Sequence, residues 1–287
     1  MEIAFYGTGL MGAPMATRIA AAGLPVRAWN RSIAKAEALN ASSITAFKSA
    51  REALSGAQIA CFCLTDGAAI DDLLFGAERL ADAFAADQLV INFSTCGVAA
   101  DRRFAGLLPA RWLDCPVSGG VAGAERGSLI AFAGGDAADF ERAAPVLDAV
   151  AARSMHMGDV GAGQATKLCN QLIVSANLAA IAEAIALGEA LGVNTAVLPA
   201  ALQGGFADSQ PLQLFGGRMA AETDPGPRVG AIATMIKDVG LCRQAAQDLG
   251  VDLPLIDAVS AVYQRAVALG LANEDLPALM AQYRGKT

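Results

Sequence analysis

Histidine occurs once, at His156, so a histidine-built zinc site is excluded and any proton transfer must use another side chain. Charge is also scarce: Asp, Glu, Lys and Arg make up 17% of the 287 residues against 54% hydrophobic residues, which rules out disorder as the main state. Apolar stretches are broken by Asp, Glu, Arg or Lys before they reach about 18 residues. The mean hydropathy of +0.42, much of it from Ala, therefore reports a large core and no membrane span. Basic residues are the minority, 21 against 28 acidic, for a net charge of -7, which argues against a nucleic-acid partner. No CxxC pair exists. The six cysteines (61, 63, 96, 115, 169 and 242) are scattered, five of them in apolar segments, and read as reduced structural thiols. The chain opens MEIAFYG without the basic and apolar regions of a secretory signal, so the expected location is the cytoplasm.

What is present is an alternation. Ile3 to Tyr6, Val26 to Trp29, Ile59 to Leu64, Leu89 to Phe93, Trp112 to Asp114 and Leu129 to Ala133 read as strands, separated by Ala-rich helical stretches such as Ala13 to Ala22 and Ile33 to Leu39. This predicts a doubly wound, mostly parallel α/β sheet of Rossmann type. After GDVGAG at 158–163 the pattern changes. From Gln164 to about Leu191 the chain is apolar at helical spacing, a domain-linking helix of about 42 Å that Glu183 and Glu189 mark as a non-membrane element. Beyond it Ala196 to Gln203, Ile232 to Asp248 and Ile256 to Leu269 read as helices. Two domains follow: 1–160, an α/β domain, and 161–287, an all-α domain.

Gly7-Thr8-Gly9-Leu10-Met11-Gly12 follows a strand and opens a helix, the setting in which GxGxxG lets a pyrophosphate sit on a helix N-terminus. An NAD site usually has an acidic residue at the end of the second strand. Here the chain reads Trp29-Asn30-Arg31-Ser32 with Lys35 a turn later, so Arg31, Ser32 and Lys35 favour a 2′-phosphate and NADP over NAD. The alternative is a solvated arginine on a loop. Leu64 and Thr65, where the Ile59 to Leu64 run ends, are counted with the cofactor contacts.

With Ser94-Thr95 after a strand, Asp114-Cys115-Pro116-Val117-Ser118-Gly119-Gly120, the segment Gly161 to Asn170 (GAGQATKLCN) and Lys237-Asp238, these motifs resemble the β-hydroxyacid dehydrogenase family over essentially the whole chain. That family includes 3-hydroxyisobutyrate dehydrogenase, tartronate semialdehyde reductase and glyoxylate and succinic semialdehyde reductases, and its cofactor domain is like that of 6-phosphogluconate dehydrogenase. The resemblance implies a metal-free enzyme that moves hydride between NADP and a small β-hydroxy acid, semialdehyde or 2-oxo acid.

The resemblance also assigns residues. Ser118, Gly119 and Gly120 would hold the substrate carboxylate, and their own chemistry agrees, since a strand ending in Ser and two glycines leaves amides free; the other reading is an ordinary turn. Thr95 would lie near the nicotinamide, although Ser94 and Thr95 also read as caps of the next helix. Lys167 would be the general acid and base. On its own terms it sits in the first turns of an apolar helix, where partial burial would lower its pKa from about 10.4 toward neutrality, at about 1.4 kcal/mol per unit. A lysine snorkelling to solvent is the alternative. Asn170 and Gln171 share its helical face as substrate contacts, but the family carries Asn where Gln171 stands, so the amide reaches about one methylene further. Lys237, with Asp238 beside it, matches a second cleft lysine that contacts substrate and cofactor; a solvated Lys-Asp pair is the rival. The family's aromatic positions before it are poorly kept in Gly226-Pro227-Arg228-Val229-Gly230. An imine reductase, whose relatives usually replace the lysine, and a non-catalytic dinucleotide-binding scaffold are the competing functions. Apolar surface in the helical half predicts a homodimer or homotetramer.

Overall fold

The apolar runs of the first half pair edge to edge. In the computed structural model, which describes residues 1–221, 226 and 228–284, the described residues contain nine strands. They are β1 (Ile3–Tyr6), β2 (Val26–Trp29), β3 (Ile44–Ala46), β4 (Ile59–Phe62), β5 (Leu89–Asn92), β6 (Arg111–Asp114), β7 (Val117–Ser118), β8 (Leu129–Gly134) and β9 (Ala151–Gly158). The order β3-β2-β1-β4-β5-β6 is parallel throughout, the doubly wound Rossmann arrangement. Strands β1, β4 and β5 are buried at every position, as central parallel strands covered on both faces must be.

Alternate residues of β1 enter two cores. Ile3 and Phe5 pack with Met15 and Ile19 of the helix Gly12–Ala21 and with Val146 and Leu147 of Ala137–Val150. Ala4 and Tyr6 face the other way, toward Phe62, Leu74, Phe104 and Trp112. Strand β8 then runs antiparallel to β6 and β7 at one continuous register, Asp114↔Gly134, Val117↔Ala131 and Ser118↔Ile130, so β6 and β7 act as one strand interrupted at Cys115 and Pro116. Strand β9 pairs with β8 in parallel.

Three strands had no sequence signal. Strand β3 has three residues, β7 two, and β9 is largely exposed, so its polar-rich Arg153-Ser154-Met155-His156 run lacks a clean apolar alternation. His156 is a packing residue, its Nε2 2.7 Å from the Gly135 carbonyl and its ring 5.5 Å from that of Phe140. All six cysteines are free thiols; Cys61, Cys96, Cys115 and Cys242 are buried and Cys169 is exposed.

By contacts the chain divides into Met1–Lys167 and Leu168–Thr287, with the helix Ala162–Ala190 running through the division. In the second unit the described residues form helices, chiefly Gln210–Ala220, Ile232–Leu249 and Pro254–Ala268. The Tyr263 hydroxyl donates to the Ser175 carbonyl at 3.3 Å and the Cys242 thiol to the Leu168 carbonyl at 3.3 Å, so two of these helices hold the long one. Ala162–Ala190 has the length and composition to cross a membrane. Here it is a helix of the folded core, with Leu178, Ala182 and Ile185 fully buried.

Candidate active site

The turn after β1 is shaped by what its glycines exclude. Gly7 lies at φ +97°, and a Cβ there would strike the Cys63 carbonyl and Leu64, so the turn passes against the chain leaving β4. A Cβ at Gly12 would collide with the Gly7 carbonyl, while at Gly9 nothing lies within 4 Å and the backbone faces open space. Thr8 is 4% exposed; its amide donates to Asn30 Oδ1 at 3.1 Å, and its hydroxyl oxygen has no hydrogen-bond partner. Buried polar atoms are nearly always satisfied, so an orphan hydroxyl beside an open glycine backbone at a helix start fits a phosphate ligand. The residues present thus fit a nicotinamide dinucleotide.

A groove of about 400 Å³ brings together Gly7, Gly9, Asn30, Arg31, Ser32, Lys35, Leu64 and Thr65. Thr8, Leu10, Met11 and Gly12 build the turn itself: Leu10 is exposed, and Met11 packs against the core. Asn30 Nδ2 donates to the Ser32 carbonyl at 3.0 Å, closing the loop that carries Arg31. The groove is also lined by Asp72 and Glu78, two carboxylates that no motif announced. Ser32 precedes the helix Ile33–Glu37, and its side chain makes no capping bond.

Where β5 and β6 end, a second polar cluster lies in the first unit. Ser94 and Thr95 do not cap the helix Val98–Leu107, whose N-cap is Gly97 with no side-chain bond. Instead the Ser94 hydroxyl accepts the Leu64 amide at 2.9 Å, linking this loop to the groove. Thr95 is half-buried. Gln164, fully buried, accepts the amides of Cys96 and Gly97 at 3.2 and 3.1 Å and donates to the Ser94 carbonyl at 2.8 Å. Asp114 accepts the amides of Gly161 at 2.6 Å and Gln164 at 2.7 Å, binding the start of the long helix to the sheet. The GAG sequence follows from this closeness: Gly161 has φ +96°, and a Cβ at Gly163 would meet the Phe132 and Asp114 carbonyls. Burial, then the neighbouring Asp101, pushes the Asp114 carboxyl up to about 7. Asp101 is itself pushed up to about 6 by burial, against hydrogen bonds from Asn92, Cys96 and Trp112. Sequence reading missed Asp114, Asp101 and Gln164 as site builders; the available signals were a carboxylate closing an apolar strand and a glutamine directly after GAG.

Ser118 and Gly119 fall where β7 ends and Gly120 opens the short helix Gly120–Arg126. Gly119 and Gly120 have φ +133° and +63°. The segment continues β6 along β8 and then turns at Gly119 into the helix, so the strand-to-helix turn of the sequence reading is present.

Lys167 is the last residue of the first unit and only 7% exposed. In the second unit Asn170 Nδ2 donates to Gln171 Oε1 at 2.8 Å, Gln171 Nε2 donates to Asp238 Oδ2, and Lys237 Nζ stands 3.1 Å from Asp238 Oδ1. Gln171 thus spends its amide on Asp238, which lies on another helix. Of the stretch before Lys237, Pro227 lies outside the described residues; the Val229 and Gly230 amides donate to Asp275 Oδ1 at 3.0 and 2.8 Å.

A Rossmann-type sheet with a phosphate-ready turn, followed by a helical unit, defines the class as a dinucleotide-binding protein. Residues 2–158 match the model described as the NAD binding domain of 6-phosphogluconate dehydrogenase. Residues 161–283 match that described as NAD-binding of NADP-dependent 3-hydroxyisobutyrate dehydrogenase. The chain is 31% identical to 2-hydroxy-3-oxopropionate reductase of Escherichia coli, covering 98% of this chain and 96% of that one. It is 33% identical to NAD-dependent L-serine dehydrogenase of Pseudomonas aeruginosa, covering 96% and 95%. Among solved structures it is similar to Mycobacterium tuberculosis 3-hydroxyisobutyrate dehydrogenase with L-serine, with a TM-score of 0.87, 31% identity and 99% of each chain covered. The chain belongs to the family of NAD(P)-dependent hydroxyacid dehydrogenases of the 3-hydroxyisobutyrate dehydrogenase type.

Proposed function

We propose that this chain is an NADP-dependent dehydrogenase or reductase of a small β-hydroxy acid or the matching semialdehyde or 2-oxo acid, with Lys167 transferring the proton. The observation that carries this reading is a lysine only 7% exposed in the first turns of the long helix, a burial rare for Lys and of the kind found where a proton-transfer group is tuned. NADP is favoured by Arg31, Ser32 and Lys35 in the groove wall, with no carboxylate in Asn30-Arg31-Ser32 at the end of β2. Two of the relatives are described with L-serine, itself a β-hydroxy acid, which supports the substrate class.

When bound, the nicotinamide supplies the hydride in reduction and takes it up in oxidation. Lys167 gives a proton to the carbonyl oxygen as it becomes an alcohol, and receives it in the reverse direction. Ser118, Gly119 and Gly120 hold the substrate carboxylate, and Asn170 and Gln171 orient the reacting end. Lys237, steadied by Asp238, adds positive charge for the substrate and cofactor, and Thr95 contacts the cofactor. The working form is a cytoplasmic homodimer or homotetramer.

The test is NADPH oxidation with glyoxylate, succinic semialdehyde and tartronate semialdehyde, and NADP reduction with L-serine and 3-hydroxyisobutyrate. Turnover of at least one is expected. Cofactor binding without turnover of any would overturn the enzyme reading in favour of a binding protein.

A further inference from the structure

The Asp114 cluster has no part in the proton transfer assigned to Lys167, yet it joins every element that leads there. Its carboxylate takes two amides of the turn that starts the long helix, at 2.6 and 2.7 Å. One of those amides belongs to Gln164, whose side chain grips the Ser94–Gly97 loop through three hydrogen bonds. Ser94 in turn takes the Leu64 amide at the groove. Gly134 and Gly163 press on Asp114 so closely that a Cβ at either would meet its carboxylate oxygens. Lys167 follows Gln164 by three residues, one helical turn.

We propose that Asp114, in its ionised form, is a positioning residue for the reaction: it fixes the helical turn that presents Lys167 and, through Gln164, the loop that carries Thr95. This rests on the reading of Lys167 given above. The two hydrogen bonds are strongest to a carboxylate, because protonation leaves the hydroxyl oxygen a weaker acceptor for its N–H and removes the charge that both bonds draw on. Burial and the Asp101 charge raise the Asp114 carboxyl to about 7, so the hold weakens as the medium becomes mildly acidic.

The charge that acts on Asp114 is that of Asp101. Asp101 comes from the helix Val98–Leu107, as does Arg102, whose Nε donates to the Val160 carbonyl at 3.1 Å. Cys115 follows Asp114 in sequence, its thiol pushed up by burial and by Asp114 itself. Cys96 donates to Asp101 at 3.1 Å, and His156 on β9 is taken up by the Gly135 carbonyl.

A group that donates a proton to the carbonyl does not lose activity as pH falls, so an acid limb in the reducing direction belongs to a different group. The wild-type kcat for reduction should rise from pH 6 to pH 8 with an apparent pKa near 7. Asp114→Asn should abolish that limb and lower kcat at pH 8 by about tenfold, the scale of one lost charge-assisted hydrogen bond, with NADPH affinity changed less than about twofold. Hydrogen exchange supplies a readout independent of turnover. In wild type, the amides of residues 161–167, corrected for intrinsic rate, should gain protection between pH 6 and pH 8, and in Asp114→Asn they should not. If Asp114→Asn does not fold, the wild-type exchange profile alone decides. An acid limb retained in Asp114→Asn, or wild-type protection that does not change with pH, would overturn the proposal. Absence of turnover with pH-dependent protection intact would overturn the enzymatic reading and leave the Asp114 device standing.

Discussion

The side-chain oxygen of Asn30 accepts the backbone amide of Thr8 at 3.1 Å, joining the glycine turn after β1 to the loop after β2. The glycine turn and the Asn30–Ser32 loop are therefore tied together, and disturbing either alters both. Asn30→Ala should raise the dissociation constant for NADPH by about tenfold, roughly 1.4 kcal/mol. Wild type should prefer NADPH over NADH by at least about tenfold, and Arg31→Ala should erase most of that preference. Titration of both cofactors by intrinsic fluorescence measures this; equal wild-type affinities would show that Arg31 does not read the 2′-phosphate.

Lys167→Met should lower kcat by about 10² to 10⁴ while NADPH binds as before, because the phosphate turn belongs to β1. A variant that keeps more than a tenth of wild-type kcat would transfer the proton role elsewhere. Gln171→Ala should raise KM more than it lowers kcat. Since it also leaves buried Asp238 with one partner fewer, it should cost about 1–3 kcal/mol of stability, read from denaturant midpoints.

Asp101 yields a stability prediction with a defined sign. Its folded pKa of about 6 lies above the ordinary value of 3.8, so the native state holds the proton more tightly than the unfolded chain does. The group's stabilising contribution is complete below about pH 4, falls as pH rises toward 6, and is flat above, a change of at most about 3 kcal/mol. Asp101→Asn keeps an oxygen for Asn92 and Trp112, both of which donate to Oδ1. It should therefore remove this slope, and its advantage over wild type in urea should be larger at pH 7.5 than at pH 4.5. An equal difference at both values would mean that Asp101 titrates normally.

The second unit exposes Ile173, Leu187, Leu191 and Val193 along and just beyond the long helix. Light scattering at micromolar concentration should give the mass of a dimer or tetramer, and a monomer would count against the assembly.

Legibility differed between the fold and the site. The central strands β1, β2, β4 and β5 could be read because buried parallel strands are short apolar runs, and the long helix because its apolar spacing continues without proline. Strands β3, β7 and β9 could not, being too short or too exposed to carry a pattern. The glycine turn was readable as chemistry because its residues are contiguous.

Local order along the chain was enough to determine the doubly wound sheet, the glycine turn after its first strand, the absence of an acidic residue in Asn30-Arg31-Ser32 and a lysine in the first turns of a long helix. Each of these is a pattern among near neighbours. Tertiary structure alone decided that Asp72 and Glu78 share the cofactor groove with Arg31, that Gln171 turns to Asp238, and that Asp114 meets Gly161 and Gln164 across more than 40 residues of chain. Such contacts depend on where β6 ends against a helix start, a distance that no spacing in the sequence encodes. The raised carboxyl of Asp114 follows from the same cause, because burial and proximity to Asp101 exist only once the sheet has closed.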